Sequence, residues 1–79
     1  VSGEEGVDAR DAQRVVHAAL AELPAERRSV VVLRMLQGYS TAETAEMLGV
    51  RPGTVMSRLH RAMDSLGQIL RPYMETNDV

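Results

Sequence analysis

Pro24, Gly38, the run Gly49-Val50-Arg51-Pro52 and Pro72 cut this chain into stretches of helical length, and that punctuation constrains its fold more than any other feature. Proline lacks a backbone donor and clashes with the preceding turn, while glycine supplies the left-handed residue on which helices commonly end. Between these breakers apolar residues recur at helical spacing. Ala12, Val16, Ala19, Leu20 and Leu23 form one series; Val55, Leu59, Ala62, Leu66 and Ile69 form a second, continuous stripe.

The pattern predicts an all-α fold: a small four-helix domain containing a helix-turn-helix. The first helix is expected to open near Asp8, with acids in its first turn, and to stop at Pro24. The second is expected over roughly Ala25–Gln37. Its Val30-Val31-Val32 run has strand propensity, but no second strand candidate exists to pair with it. Val30 through Leu36 are apolar except Arg34, which suits a central helix covered by the others. Ser40 opens a third helix with Glu43 three residues later, the spacing of a capping box. Thr44, Ala45 and Leu48 are expected to face inward, with Gly49 at the helix end. The last helix is expected to start near Pro52 and to end at Pro72. Residues 1–7 are small, acidic and glycine-containing, so they read as a disordered linker of the kind found where a domain is cut from a longer protein. Residues 8–72 read as the domain and 73–79 as a frayed tail.

With 79 residues there is room for one domain. A domain this short buries only about 60% of the surface its unfolded chain exposes. There is no cysteine, so neither disulfides nor thiolate metal sites can supplement the core, and a reducing cytoplasm is the expected compartment. No apolar run approaches the roughly 18 residues of a membrane span, and the start has no signal-peptide pattern. Net charge is −2, but its distribution is uneven. Residues 1–33 hold six acids against four arginines, whereas residues 51–63 hold Arg51, Arg58 and Arg61 with no acid. Ser29, Ser57 and Ser65 have no His-acid arrangement, and no glycine-rich phosphate loop is present, so the chain is not expected to be an enzyme. His17 and His60 stand outside any ligand cluster, so neither metal nor cofactor is expected.

Two short helices joined by a tight glycine-containing turn are the layout of a helix-turn-helix. Here they are Ser40–Leu48 and the segment from Pro52 onward. If Val55, Leu59 and Leu66 point inward, the outer face holds Gly53, Ser57, His60, Arg61 and Asp64, with Met56 and Arg58 on its flanks. The free amides at the start of that helix can hold a phosphate, and Thr54 adds a hydroxyl. Arg61 can fork onto a guanine edge or a phosphate; Ser57 is short enough to admit a base.

The stretch Leu23–Leu66 resembles region 4 of bacterial sigma factors, especially the extracytoplasmic-function group. The resemblance rests on Leu23-Pro24, Gly38-Tyr39-Ser40, Glu43-Thr44-Ala45, Leu48-Gly49 and above all Gly53-Thr54-Val55-Met56-Ser57-Arg58-Leu59-His60-Arg61-Ala62. It implies recognition of the −35 promoter element, docking on the β flap of RNA polymerase through the first two helices, and capture by an anti-sigma factor. It further implies base and backbone contacts at Met56, Ser57, His60 and Arg61, with Thr54 and Arg58 as phosphate or packing positions. Three residues depart from the family pattern: Met56 where Lys or Arg is frequent, Arg51 where Ser often caps the helix, and Thr44 where Ile is usual.

Several readings stay open at this point. Arg58 fits a phosphate contact or an intradomain pair with Glu43 or Glu46. His60 fits a base contact or a solvated side chain. Met35 and Met47 fit core fillers or a partner surface. The whole layout also fits the output domain of a LuxR-type response regulator, or a protein-interaction module with little DNA binding of its own.

Overall fold

The computed structural model describes residues 2–75, with side chains from Arg10 to Tyr73. Its elements are α1 (Ser2–Ala21), α2 (Ala25–Val31) running into a π-helical turn (Val32–Leu36), α3 (Thr41–Leu48) and α4 (Pro52–Glu75). No strand occurs among the described residues. The all-α, four-helix expectation therefore holds, with the valine run helical.

Four features differ from the sequence reading. Helix α1 begins at Ser2, so residues read from composition as a linker lie within it. Second, the Ala25–Gln37 helix is not α-helical throughout. The Gln37 amide donates to the Val32 carbonyl at 2.9 Å, a span of five residues, which widens the last turn. Third, Pro72 does not end α4, which continues to Glu75. One turn from the helix end, its missing donor forfeits a single bond. Finally, Ala12 and Val16 belong to the first apolar stripe but are exposed, Val16 by 40%. Only Ala19, Leu20 and Leu23 of that series are buried.

Two apolar clusters meet along α4. Leu20, Leu23, Val31 and Ala62 form one, flanked by Leu59, Leu66 and Ile69. Val30, Ala45 and Val55 form the other, flanked by Leu48, Val50 and Leu59. Leu59 joins both. Val30 and Val55 are completely buried, each contributing about 1.5–3 kcal/mol of transfer free energy. Between the helices, arginines close the connections. Arg28 donates to the Leu23 carbonyl at 3.0 Å and Arg34 to the Tyr39 carbonyl at 2.9 Å. These carbonyls lie in the connections, outside the helical ladders, where a side-chain donor satisfies them.

Candidate nucleic-acid interface

The entry to α3 is fixed by its own side chains. The Ser40 hydroxyl accepts from the Glu43 amide at 3.0 Å, and the Glu43 carboxylate accepts from the Ser40 amide at 2.8 Å. Its exit is fixed by Gly49, whose φ of 70° lies in the left-handed region. The Val50 amide then reaches back to the Ala45 carbonyl at 3.0 Å, closing a Schellman turn. Val50 packs into the second cluster, which sets the angle at which the chain enters α4.

At the start of α4 the Arg51 carbonyl accepts from Thr54 at 2.9 Å and Val55 at 3.2 Å, with Pro52 in the first helical position. Proline suits that place, because its missing donor would be unsatisfied there anyway. Val55 and Ala62 are fully buried and Leu59 half-buried, so this edge of the helix is locked against the body. At about 100° per residue the opposite edge must face water. Gly53, Ser57, His60, Arg61 and Asp64 are all exposed there.

The flanks differ from each other. Met56 is 51% exposed, and its sulfur accepts from the Thr41 hydroxyl at 3.5 Å. Thr54 and Arg58 are half-buried on the other side. Arg58 shares a cleft with Ala25, Glu26, Ser29 and Leu48, so it faces the start of α2. Glu43, one of the partners considered for Arg58, is engaged in the α3 cap. The Ser57 hydroxyl donates to the Thr54 carbonyl at 3.2 Å, a bond a competing acceptor on the exposed face can replace. Arg51, Arg58 and Arg61 give this end three cations, and the next acid along the helix is Asp64.

Two features were not singled out in the sequence. Thr41 occupies the first turn of α3 with nothing in its spacing to mark a contact 15 residues away. A groove lined by Ala12, Gln13, Val16, His17 and Leu36 runs between α1 and the π-helical turn. The helical period of Ala12 and Val16 was legible, but not that their face stays uncovered. Among the described residues no group of acids and histidines could hold a metal ion, and no helix is long and apolar enough to cross a membrane.

Over residues 13–66 the sequence matches the family described as Sigma-70, region 4. The chain belongs to that family. Its Gly53–Ala62 motif, the turn, α3 and the first part of α4 lie inside the matched span, which decides against the response-regulator alternative. Several RNA polymerase sigma factors are similar to it. ECF RNA polymerase sigma factor SigM of Mycobacterium tuberculosis is 53% identical over 55 residues, covering 70% of this chain and 28% of that protein. RNA polymerase sigma-E factor of Streptomyces antibioticus is 48% identical over 61 residues, covering 77% and 32% respectively. ECF RNA polymerase sigma factor SigX of Bacillus subtilis is 37% identical over 62 residues, covering 78% and 30%. This region 4 chain thus spans less than a third of each relative's length.

Proposed function

We propose that this chain is the −35-reading module of an alternative sigma factor, inserting the first turns of α4 into the major groove of promoter DNA. It acts by binding rather than by catalysis, in the cytoplasm where the promoter is. The observation that carries this reading is the exposed arc Gly53, Ser57, His60 and Arg61, opposite buried Val55 and Ala62. Such an arc offers donors and small residues at the end of a helix held rigidly by its other side. Arg61 and Ser57 read base edges or the backbone. His60 and Met56 border them, and Thr54, Arg58 and the Gly53 amide in the first turn of α4 steady the phosphates.

The second partner in this reading is the β flap of RNA polymerase. It is supported by a run of exposed apolar side chains beside the α1 groove: Met35 at 54%, Leu36 at 57% and Tyr39 at 37%. An anti-sigma factor would use the same apolar side, and Met47 on α3 is a further exposed apolar residue open to it.

Binding to duplexes selected from a random library, followed by fluorescence anisotropy, tests the DNA role. Arg61→Ala should weaken a selected duplex by about 1–3 kcal/mol if the guanidinium reads a base. An unchanged affinity in a folded variant would remove Arg61 from the interface. Leu36→Asp should abolish capture on immobilised flap while leaving duplex binding intact; equal capture would sink the flap assignment.

A further inference from the structure

We infer that Met56 is a specificity-determining residue that recognises the C5-methyl group of a pyrimidine in the major groove. The inference rests on the reading of α4 as the groove-entering helix. Met56 stands between buried Val55 and outward Ser57, one turn before His60, on the flank that faces α3. Its neighbours on the exposed arc are hydroxyl, imidazole and guanidinium groups, which read donors and acceptors on base edges. A thioether has no donor and is a weak acceptor. Here the Thr41 hydroxyl donates to that sulfur at 3.5 Å from the protein side. Apart from that sulfur the side chain is hydrocarbon, and the residue is 51% exposed.

The only apolar feature that standard base edges present in the major groove is the thymine methyl. 5-Methylcytosine carries the same group at the same ring position. A methionine placed among polar readers therefore gains free energy by covering such a methyl and gains nothing comparable from cytosine or purine edges. The bond to Thr41 also narrows the rotamers the side chain must surrender on docking, which favours a defined contact over a diffuse one. Exposure argues against Met56 as a core filler: Val55 beside it supplies the buried contact at that level of the helix.

The experiment uses the 79-residue chain at low ionic strength with a randomised duplex library, then synthetic variants of the selected duplex. Each selected dT is replaced by dU, which deletes the methyl and leaves pairing intact. Each selected dC is replaced by 5-methyl-dC, which adds it. One methyl contact corresponds to about a four-fold change in Kd. The wild-type chain should lose about that factor at one dT, or gain it at one dC, and the position that responds names the base. Met56→Leu should keep the ratio and Met56→Gln should bring it to one, with both variants still binding. A wild-type ratio of one at every position would overturn the inference while leaving the groove reading standing. So would a ratio that persists in Met56→Gln. Failure to enrich any duplex, both with the chain alone and with polymerase core added, would instead overturn the groove reading and this inference with it.

Discussion

Thr44 is sealed from water, and its hydroxyl has no hydrogen-bond partner among the described residues. A buried hydroxyl left unsatisfied costs about 1–3 kcal/mol, and valine has nearly the same shape without that penalty. Thr44→Val should therefore stabilise the domain by about 1 kcal/mol, raising Tm by roughly 4–8 °C on a chain of this size. A lower Tm in thermal unfolding would mean the hydroxyl has a partner in solution. Leu59 makes the opposite case. It touches both apolar clusters, so truncation opens a gap where they join. Leu59→Ala should cost about 2–5 kcal/mol, a large share of the roughly 4–12 kcal/mol expected for a domain this small. An unchanged midpoint in urea would show that α4 is rotated from the placement described. Both residues were readable beforehand, because helical period alone turns them inward. The missing partner of Thr44 was not readable, since satisfaction depends on neighbours that no local pattern names.

At the scale of elements, the same substitution should have opposite signs at two glycines. Gly49 holds φ at 70° in the turn between α3 and α4; Gly67 sits inside α4 in helical backbone; neither would bring an added Cβ within 4 Å of another group. With no clash at either place, only backbone preference decides. Gly49→Ala should destabilise by about 1–2 kcal/mol, because an L side chain resists the left-handed region. Gly67→Ala should stabilise by about 0.5–1 kcal/mol, by removing glycine's excess freedom in the unfolded chain. Urea denaturation of the two variants would show midpoints moving apart, and movement in one direction would refute the argument. The turn was legible because Ser40, Glu43, Gly49 and Pro52 each do local work that their chemistry announces. The π-helical turn was not. Its sequence, Val32-Leu33-Arg34-Met35-Leu36, is too uniformly apolar to mark whether the helix advances by four or five residues. The widening is visible in the bonds from Gln37 to Val32 and from Tyr39 to Leu33. Pro72 misled for a related reason: proline's cost depends on how much helix follows it, and here one turn does.

For the molecule as a whole, charge placement sets how DNA binding should respond to salt. The chain is net −2, yet Arg51, Arg58 and Arg61 stand at the reading end with no acid between them in sequence, although Glu26 lines the cleft of Arg58. If those three meet phosphates, about 0.9 counterion is released for each, giving a log–log slope near −2.7. Raising salt from 50 to 200 mM should then weaken a selected duplex by roughly 40-fold, a modest dependence for a DNA-binding protein. A much steeper slope would mean that arginines elsewhere, such as Arg10, Arg14 or Arg71, also reach the backbone and that the contact surface is larger than one helix end. A slope of zero would mean no phosphate is touched, and the chain would be a protein-interaction module alone. The modest slope also predicts weak binding by the isolated domain, because few phosphates are neutralised and an acidic remainder opposes approach. Holding the domain on polymerase through its apolar side would convert duplex binding into an intramolecular step. Apparent affinity should then rise by roughly 10²–10⁴ with no new DNA contact. The salt slope attributable to α4 should stay the same, since tethering changes effective concentration and not the number of phosphates met. Measuring duplex affinity against salt with and without polymerase core separates the two contributions: parallel lines displaced in affinity are expected, and lines of different slope would show that polymerase remodels the reading face.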